Sequence, residues 1–101
     1  MRIGEAGRIA AAVGGSYAAR FGLERDAAFH LGKLTEDLGE LQAAWLKLNG
    51  RARGQGSREA VEDEAADVLG FLLLFCDWQG LDLEAAFRRK WAAHLSEGEQ
   101  A

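Results

Sequence analysis

The chain has 101 residues, which is enough for one domain but few for a large hydrophobic core. Its 16 acidic and 12 basic residues give a net charge of −4, which argues against binding nucleic acid polymers through their phosphates. No apolar run approaches the length of a membrane span, and the single cysteine, Cys76, excludes an intrachain disulfide. We therefore expect a cytoplasmic protein with one buried, reduced thiol and no membrane partner.

The absence of proline and the abundance of alanine, leucine, glutamate and arginine favour a single all-α domain over residues 1–101. A first helix is predicted from about Ile3 to Phe21. Its apolar residues recur at helical spacing, at Ile9, Val13 and Tyr17. The stretch from Gly22 to Arg25 is the expected connector to the next helix.

The second predicted helix begins after a cap at Asp26 and ends near Asn49. Its apolar residues recur at steps of three and four and form one continuous stripe, made of Leu31, Leu34, Leu38, Leu41, Trp45 and Leu48. The following stretch, Arg51 to Ser57, has two glycines and no apolar period. It is therefore predicted to be a loop.

A third helix is predicted from about Ser57 to Gln79, and its apolar residues spread so far around the helix that we expect burial on more than one side. Asp82 is placed to cap a fourth helix, and the polar residues 96–101 are expected to fray at its end. Because so small a domain buries limited surface, we predict a four-helix bundle completed by self-association.

Two acidic pairs differ from the usual solvated carboxylates of a helical protein. On a helical wheel Asp37 borders the apolar stripe of the second helix, and Glu40 lies one step further round. Glu64 falls inside the apolar stripe of the third helix, with Asp67 beside it. A carboxylate in such a place is normally paired with a cation, bound to a metal or protonated.

If the two helices pack antiparallel, these four carboxylates converge and form an oxygen-rich site of the kind that Mg²⁺ favours. The alternative is a structural network without metal, in which basic side chains neutralise the acids. The candidates for this are Lys33, Lys47, Lys90 and Arg58. The spacing of the carboxylates leaves both interpretations open.

The two acidic blocks resemble a known family. KLTEDLGEL (Lys33 to Leu41) followed by EDEAADVLGFLL (Glu62 to Leu73) is similar to the EExxE…ExxD signature of the MazG-like, all-α nucleoside triphosphate pyrophosphohydrolases. Glu36, Asp37 and Glu40 match the first block, and Glu64 and Asp67 match the second. Downstream, GLDLEAAFRRKW (Gly80 to Trp91) resembles the last helix of that family, which ends with a lysine.

The resemblance implies Mg²⁺-dependent hydrolysis of a nucleoside triphosphate between its α and β phosphates, with Mn²⁺ able to replace Mg²⁺. It implies homodimers or homotetramers. Asp37, Glu40, Glu64 and Asp67 would hold the metal, and Glu36 would be an outer ligand or the base for the attacking water. Lys90 and Lys33 would contact the substrate phosphates. Two alternatives remain: a non-catalytic helical dimerisation or regulatory module, and a hydrolase whose substrate is a damaged nucleotide or a phosphoribosyl adduct.

Overall fold

A computed structural model describes residues 1–21 and 26–95. Within these ranges every regular element is helical, which confirms the predicted all-α class. The helices are α1 (Ile3–Phe21), α2 (Ala27–Leu48), α3 (Arg58–Gln79) and α4 (Leu83–Trp91), followed by a short 3₁₀ helix (Ala92–His94). The predicted connector 22–25 and the predicted frayed tail 96–101 lie outside the described residues. None of the described helices is long and apolar enough to cross a membrane.

The helix ends follow from local hydrogen bonding. Three side chains accept a hydrogen bond from a backbone N–H in the first turn of the helix that follows them: Asp26 from Phe29 at 2.8 Å, Ser57 from Ala60 at 3.1 Å and Asp82 from Ala85 at 3.0 Å. These caps satisfy N–H groups that have no partner inside a helix. Helix α3 ends at Gly80, whose φ of 66° is a left-handed conformation that suits glycine. The predicted caps at Asp26 and Asp82 are therefore confirmed.

Helices α2 and α3 pack against each other as an antiparallel pair. At one end, Gly56 lies so close to the backbone of Leu48 that no β-carbon would fit. At the other end, the ring of His30 meets the ring of Trp78 edge-on, with 6.0 Å between ring centroids. This pairing brings the two acidic blocks to the same level of the helix pair.

Helix α1 packs on α3 as well, so α3 is covered from two sides. The closest approach is at Gly14, where an added β-carbon would lie 2.6 Å from Cδ2 of Leu74. Leu73, Leu74 and Cys76 of α3 are the centre of the small apolar core. The burial of α3 on more than one side is thus confirmed. Cys76 is a free, buried thiol whose pKa is raised by burial.

The apolar stripe of α2 is only half covered within one chain. Leu34, Leu41 and Leu48 are partly buried, whereas Leu31, Leu38 and Trp45 keep 44%, 56% and 54% of their surface exposed. Instead of the whole stripe, α2 buries the neighbouring row of side chains, His30, Asp37 and Ala44, which repeats every seven residues. The predicted continuous seam therefore divides into a half-buried row and an exposed row, because none of the described helices covers the second.

Helix α4 lies largely apart from the other three, and its main contacts are with the 3₁₀ helix that follows it. Phe87 and Trp91 stack with 5.9 Å between ring centroids and remain 51% and 67% exposed. The Cα radius of gyration is 16.1 Å, larger than the ~13 Å typical of a compact domain of this length. The single chain is thus three packed helices with a fourth that has no large partner surface.

Candidate metal centre

Three carboxylates of α2 form a compact group. Glu36, Asp37 and Glu40 each place one carboxylate oxygen within 4.8 Å of the others, an arrangement that could hold a metal ion. Glu36 and Glu40 are one helical turn apart and exposed, and Asp37 lies beside them with only 4% of its surface exposed. The group therefore combines one buried carboxylate with two solvent-exposed carboxylates.

Asp37 is electrostatically strained in its present surroundings. Its pKa is raised above the ordinary value of 3.8, first by burial, then by the negative charges of Glu40 and Asp67 and by a side-chain hydrogen bond with Glu40, while Lys33 opposes the rise. Its buried Oδ2 accepts no hydrogen bond from the described residues. A buried oxygen without a partner is costly, and a cation at this position would relieve that cost.

Helix α3 contributes the second acidic pair. Asp67 is exposed and lies close enough to Asp37 for its charge to raise the pKa of Asp37. Glu64 is partly buried, and its Oε2 is another buried oxygen without a hydrogen-bond partner among the described residues. Because the helices are antiparallel, Glu64 is displaced from Asp67 in the same direction along the pair as Glu40 is from Asp37. Neither α3 carboxylate is a member of the compact α2 group.

A cavity of about 520 Å³ opens between α1, α2 and α3 next to these carboxylates. Glu36, Asp37, Glu40 and Asp67 line one end of it. The other end is apolar and aromatic, and it is lined by Val13, Gly14, Phe29, His30, Phe71 and Leu74. The cavity is thus bounded by acids at one end and by rings and aliphatic groups at the other.

Lys33 lies between the two ends. Its Nζ donates a hydrogen bond to Oε1 of Glu36 at 3.3 Å and is 5.7 Å from the ring centroid of Phe71 on α3. This hydrogen bond raises the pKa of Lys33, partial burial opposes the rise, and the charges of Glu36, Asp37 and Glu40 add to it. Of the described lysines and arginines, Lys33 alone lines the cavity. Lys90 is exposed on α4 and does not line it, so its predicted phosphate contact stays a prediction.

The predicted network of basic side chains is mostly absent from the described residues. Lys33 pairs with Glu36, and the other ion pair joins Arg88 to Glu84 on α4. Asp37, Glu40, Glu64 and Asp67 form no ion pair within the described residues. The four carboxylates predicted as metal ligands are therefore not neutralised by ion pairs within the described residues, a property that they share with other described carboxylates such as Glu62 and Asp63.

The sequence did not predict the contribution of α1 or the position of His30. His30 is 1% exposed, packs edge-on against Phe29 and Trp78, and lines the cavity. Its place seven residues before Asp37, on the same face of α2, was a usable signal. For α1 the signal was Gly14 within an apolar stretch, since a glycine in a helix often marks a close helix contact.

The chain was compared with protein-family models, with curated proteins and with solved structures, and none of them matched. The MazG-like resemblance therefore stays a prediction from the two acidic blocks.

Proposed function

We propose that this protein is a Mg²⁺-dependent nucleoside triphosphate pyrophosphohydrolase of the MazG-like type. It would cleave a triphosphate, or a modified nucleotide, between the α and β phosphates and release a monophosphate and pyrophosphate. One observation carries the proposal: Asp37 is a buried carboxylate at the wall of an open cavity, its Oδ2 has no hydrogen-bond partner among the described residues, and it lies near Asp67 of the neighbouring helix.

The chemistry of the donors suits a hard divalent cation. Asp37, Glu40, Glu64 and Asp67, which form no ion pair within the described residues, supply only oxygen, and Mg²⁺ prefers oxygen ligands that include carboxylates and substrate phosphates. Two buried oxygens, Asp37 Oδ2 on α2 and Glu64 Oε2 on α3, have no hydrogen-bond partner among the described residues, and they support a cation held between the two helices. Asp37, Glu40, Glu64 and Asp67 would hold it. Mn²⁺ would substitute because it prefers the same donors.

When bound, the cation would neutralise phosphate charge and make a water molecule a stronger nucleophile. Glu36, exposed at the mouth of the cavity, would accept a proton from the attacking water or complete the outer ligand shell. Lys33 would contact the phosphates from within the cavity, and Lys90 would do so from α4.

The length of the cavity supports a nucleotide-sized substrate. Its α2 wall runs from Phe29 to Glu40, which corresponds to ~16 Å along a helix. The triphosphate would lie at the acidic end, together with the cation. The apolar and aromatic end would then receive the base.

Exposed apolar surfaces support the homo-oligomeric part of the proposal. Leu31, Leu38 and Trp45 form an uncovered row on α2, and Phe87 and Trp91 are uncovered on α4. Pairing of two or four copies would bury these groups, and we propose a homodimer or homotetramer. The reduced cytoplasm, in which Cys76 would remain a thiol, is the proposed location.

The experiment is an incubation of the purified protein with each nucleoside triphosphate and Mg²⁺, with the products identified by ³¹P NMR. Monophosphate together with pyrophosphate is the expected result. Glu64→Gln should reduce turnover by at least 100-fold while the far-ultraviolet circular dichroism is retained. Glu62→Gln, an exposed glutamate on the same helix, is the matched control and should keep activity. Full activity of Glu64→Gln would contradict the site assignment.

The second candidate function is a non-catalytic dimerisation or regulatory module, which the exposed row on α2 favours. Such a module would bind a cation only for structure. Stabilisation by Mg²⁺ without turnover of any nucleotide in the panel would select it over the hydrolase. A panel that includes oxidised bases and phosphoribosyl adducts tests the remaining alternative substrates.

A further inference from the structure

Lys33 lies where its ammonium group and a bound cation would compete for the same carboxylates. Its Nζ pairs with Glu36, one of the three carboxylates in the compact α2 group. Its charge also acts on Asp37 and Glu40, the other two members. In the absence of a metal, this ammonium group is therefore the nearest positive charge to all three carboxylates within the described residues.

In the same position, the ammonium group of Lys33 also lies near an aromatic ring of the neighbouring helix. Only about a third of the side chain is exposed, and Nζ lies 5.7 Å from the ring centroid of Phe71 across the cavity. A cation over an aromatic face is favoured by the ring quadrupole. The four-carbon stem of lysine is flexible enough to let the ammonium leave Glu36 without a change in the helix.

From this geometry we infer that Lys33 is an internal counter-ion that a divalent cation displaces, and that the displaced ammonium then binds the substrate phosphates. The inference rests on the proposed function, because it concerns the same metal site and the same substrate. A doubly charged cation held at Asp37 and Glu40, with Glu36 as an outer ligand, repels the ammonium and competes with it for the Glu36 carboxylate. The ammonium leaves Glu36 and stays beside Phe71 in the cavity, where a phosphate restores its pairing.

Two opposite effects of removing the charge follow. Lys33→Gln removes a competitor of the metal, so the free protein should bind Mn²⁺ more tightly, by about 3- to 10-fold for an ion pair of this exposure and the associated repulsion. The same variant loses a phosphate partner, so it should bind a triphosphate more weakly, by about 10-fold. If Lys33 only contacted phosphate, Lys33→Gln would weaken triphosphate binding and leave Mn²⁺ binding unchanged.

The experiment measures Mn²⁺ binding to the full chain by electron paramagnetic resonance, and binding of an α,β-methylene triphosphate analogue by calorimetry with Mn²⁺ present. Lys47→Gln, on the same helix and outside the cavity, is the matched control and should match the wild type in both. Lys33→Arg keeps the positive charge, so it should bind Mn²⁺ as weakly as the wild type does. Tighter Mn²⁺ binding together with weaker analogue binding in Lys33→Gln supports the exchange, that is, the displacement of the Lys33 ammonium from Glu36 by the cation.

The two proposals fail in different ways. If the wild type binds Mn²⁺ but Lys33→Gln binds it with the same or lower affinity, the exchange is overturned and the metal site stands. If the wild type binds no Mn²⁺, both the exchange and the proposed function are overturned. If the opposite shifts occur but no triphosphate is hydrolysed, the exchange is supported and the catalytic proposal is overturned.

Discussion

Asp37→Asn should make the metal-free protein more stable and the metal-bound protein less stable. The substitution keeps the size of the side chain and removes a charge that is buried without a hydrogen-bond partner for Oδ2. Without metal, relief of that cost should raise the free energy of unfolding at pH 7 by about 1 kcal/mol. For a domain of this size such a change raises the melting temperature by roughly 4–8 °C.

With metal the sign reverses. At a free Mg²⁺ concentration 100 times its dissociation constant, the wild type should gain about 2.7 kcal/mol of stability. The variant lacks one ligand carboxylate and should gain less than about a third of that amount. The raised pKa of Asp37 also sets the pH dependence. Below pH 3.8, the ordinary pKa, the carboxyl is neutral in both the folded and the unfolded chain. As the pH rises through the raised folded-state pKa, the carboxyl ionises and the metal-free fold loses stability.

The assay is thermal unfolding followed by circular dichroism at fixed protein concentration, in chelator and in Mg²⁺, between pH 3.5 and pH 8. In chelator, Asp37→Asn should melt at a higher temperature than the wild type at pH 7, and this difference should vanish at the lowest pH of the series. Asp63→Asn, the same change at an exposed position of α3, is the control and should behave as the wild type. A variant that is less stable in chelator at pH 7, or that keeps the full gain from Mg²⁺, would refute the electrostatic reasoning.

Two further predictions concern packing. Gly56→Ala should lower the free energy of unfolding by about 1–3 kcal/mol, because its β-carbon would meet the backbone of Leu48. Gly32→Ala has open space around it and should raise the free energy of unfolding by about 0.5–1 kcal/mol. Chemical denaturation measures both, and equal effects would contradict the close contact between α2 and the start of α3. Trp45→Glu places a charge in the exposed apolar row of α2 and should weaken self-association at least 10-fold in sedimentation analysis, while Gln42→Glu should not. A wild type that sediments as a monomer at all concentrations would overturn the predicted homo-oligomer.

The helices were predictable because their signals are local. Asp26, Gly80 and Asp82 end or begin helices through hydrogen bonds and backbone conformations that involve only a few neighbouring residues. The face that α2 turns toward α3 was less predictable. Leucine positions alone do not show which of two adjacent rows is covered, and the buried row includes Asp37 and His30 in place of Leu31 and Leu38.

The closeness of Asp37 and Glu40 was predictable from spacing, since residues at i and i+3 are neighbours on a helix, whereas Glu36 was added by the family resemblance. The antiparallel pairing that brings Asp67 toward Asp37 depends on tertiary packing, and the sequence offered it only as a condition. The cavity was not predictable at all. It depends on how α1 lies across α3 at Gly14, a long-range contact between residues 60 positions apart in sequence.

The most direct test of a cation held between two helices is a titration of Mn²⁺ into the wild type and into Glu64→Gln and Asp37→Asn, followed by electron paramagnetic resonance. The two variants change different helices. If the ion lies between α2 and α3, each substitution should weaken Mn²⁺ binding at least 10-fold. Unchanged binding by Glu64→Gln would show that the α2 carboxylates bind the ion alone, and it would contradict the shared site on which the proposed hydrolysis depends.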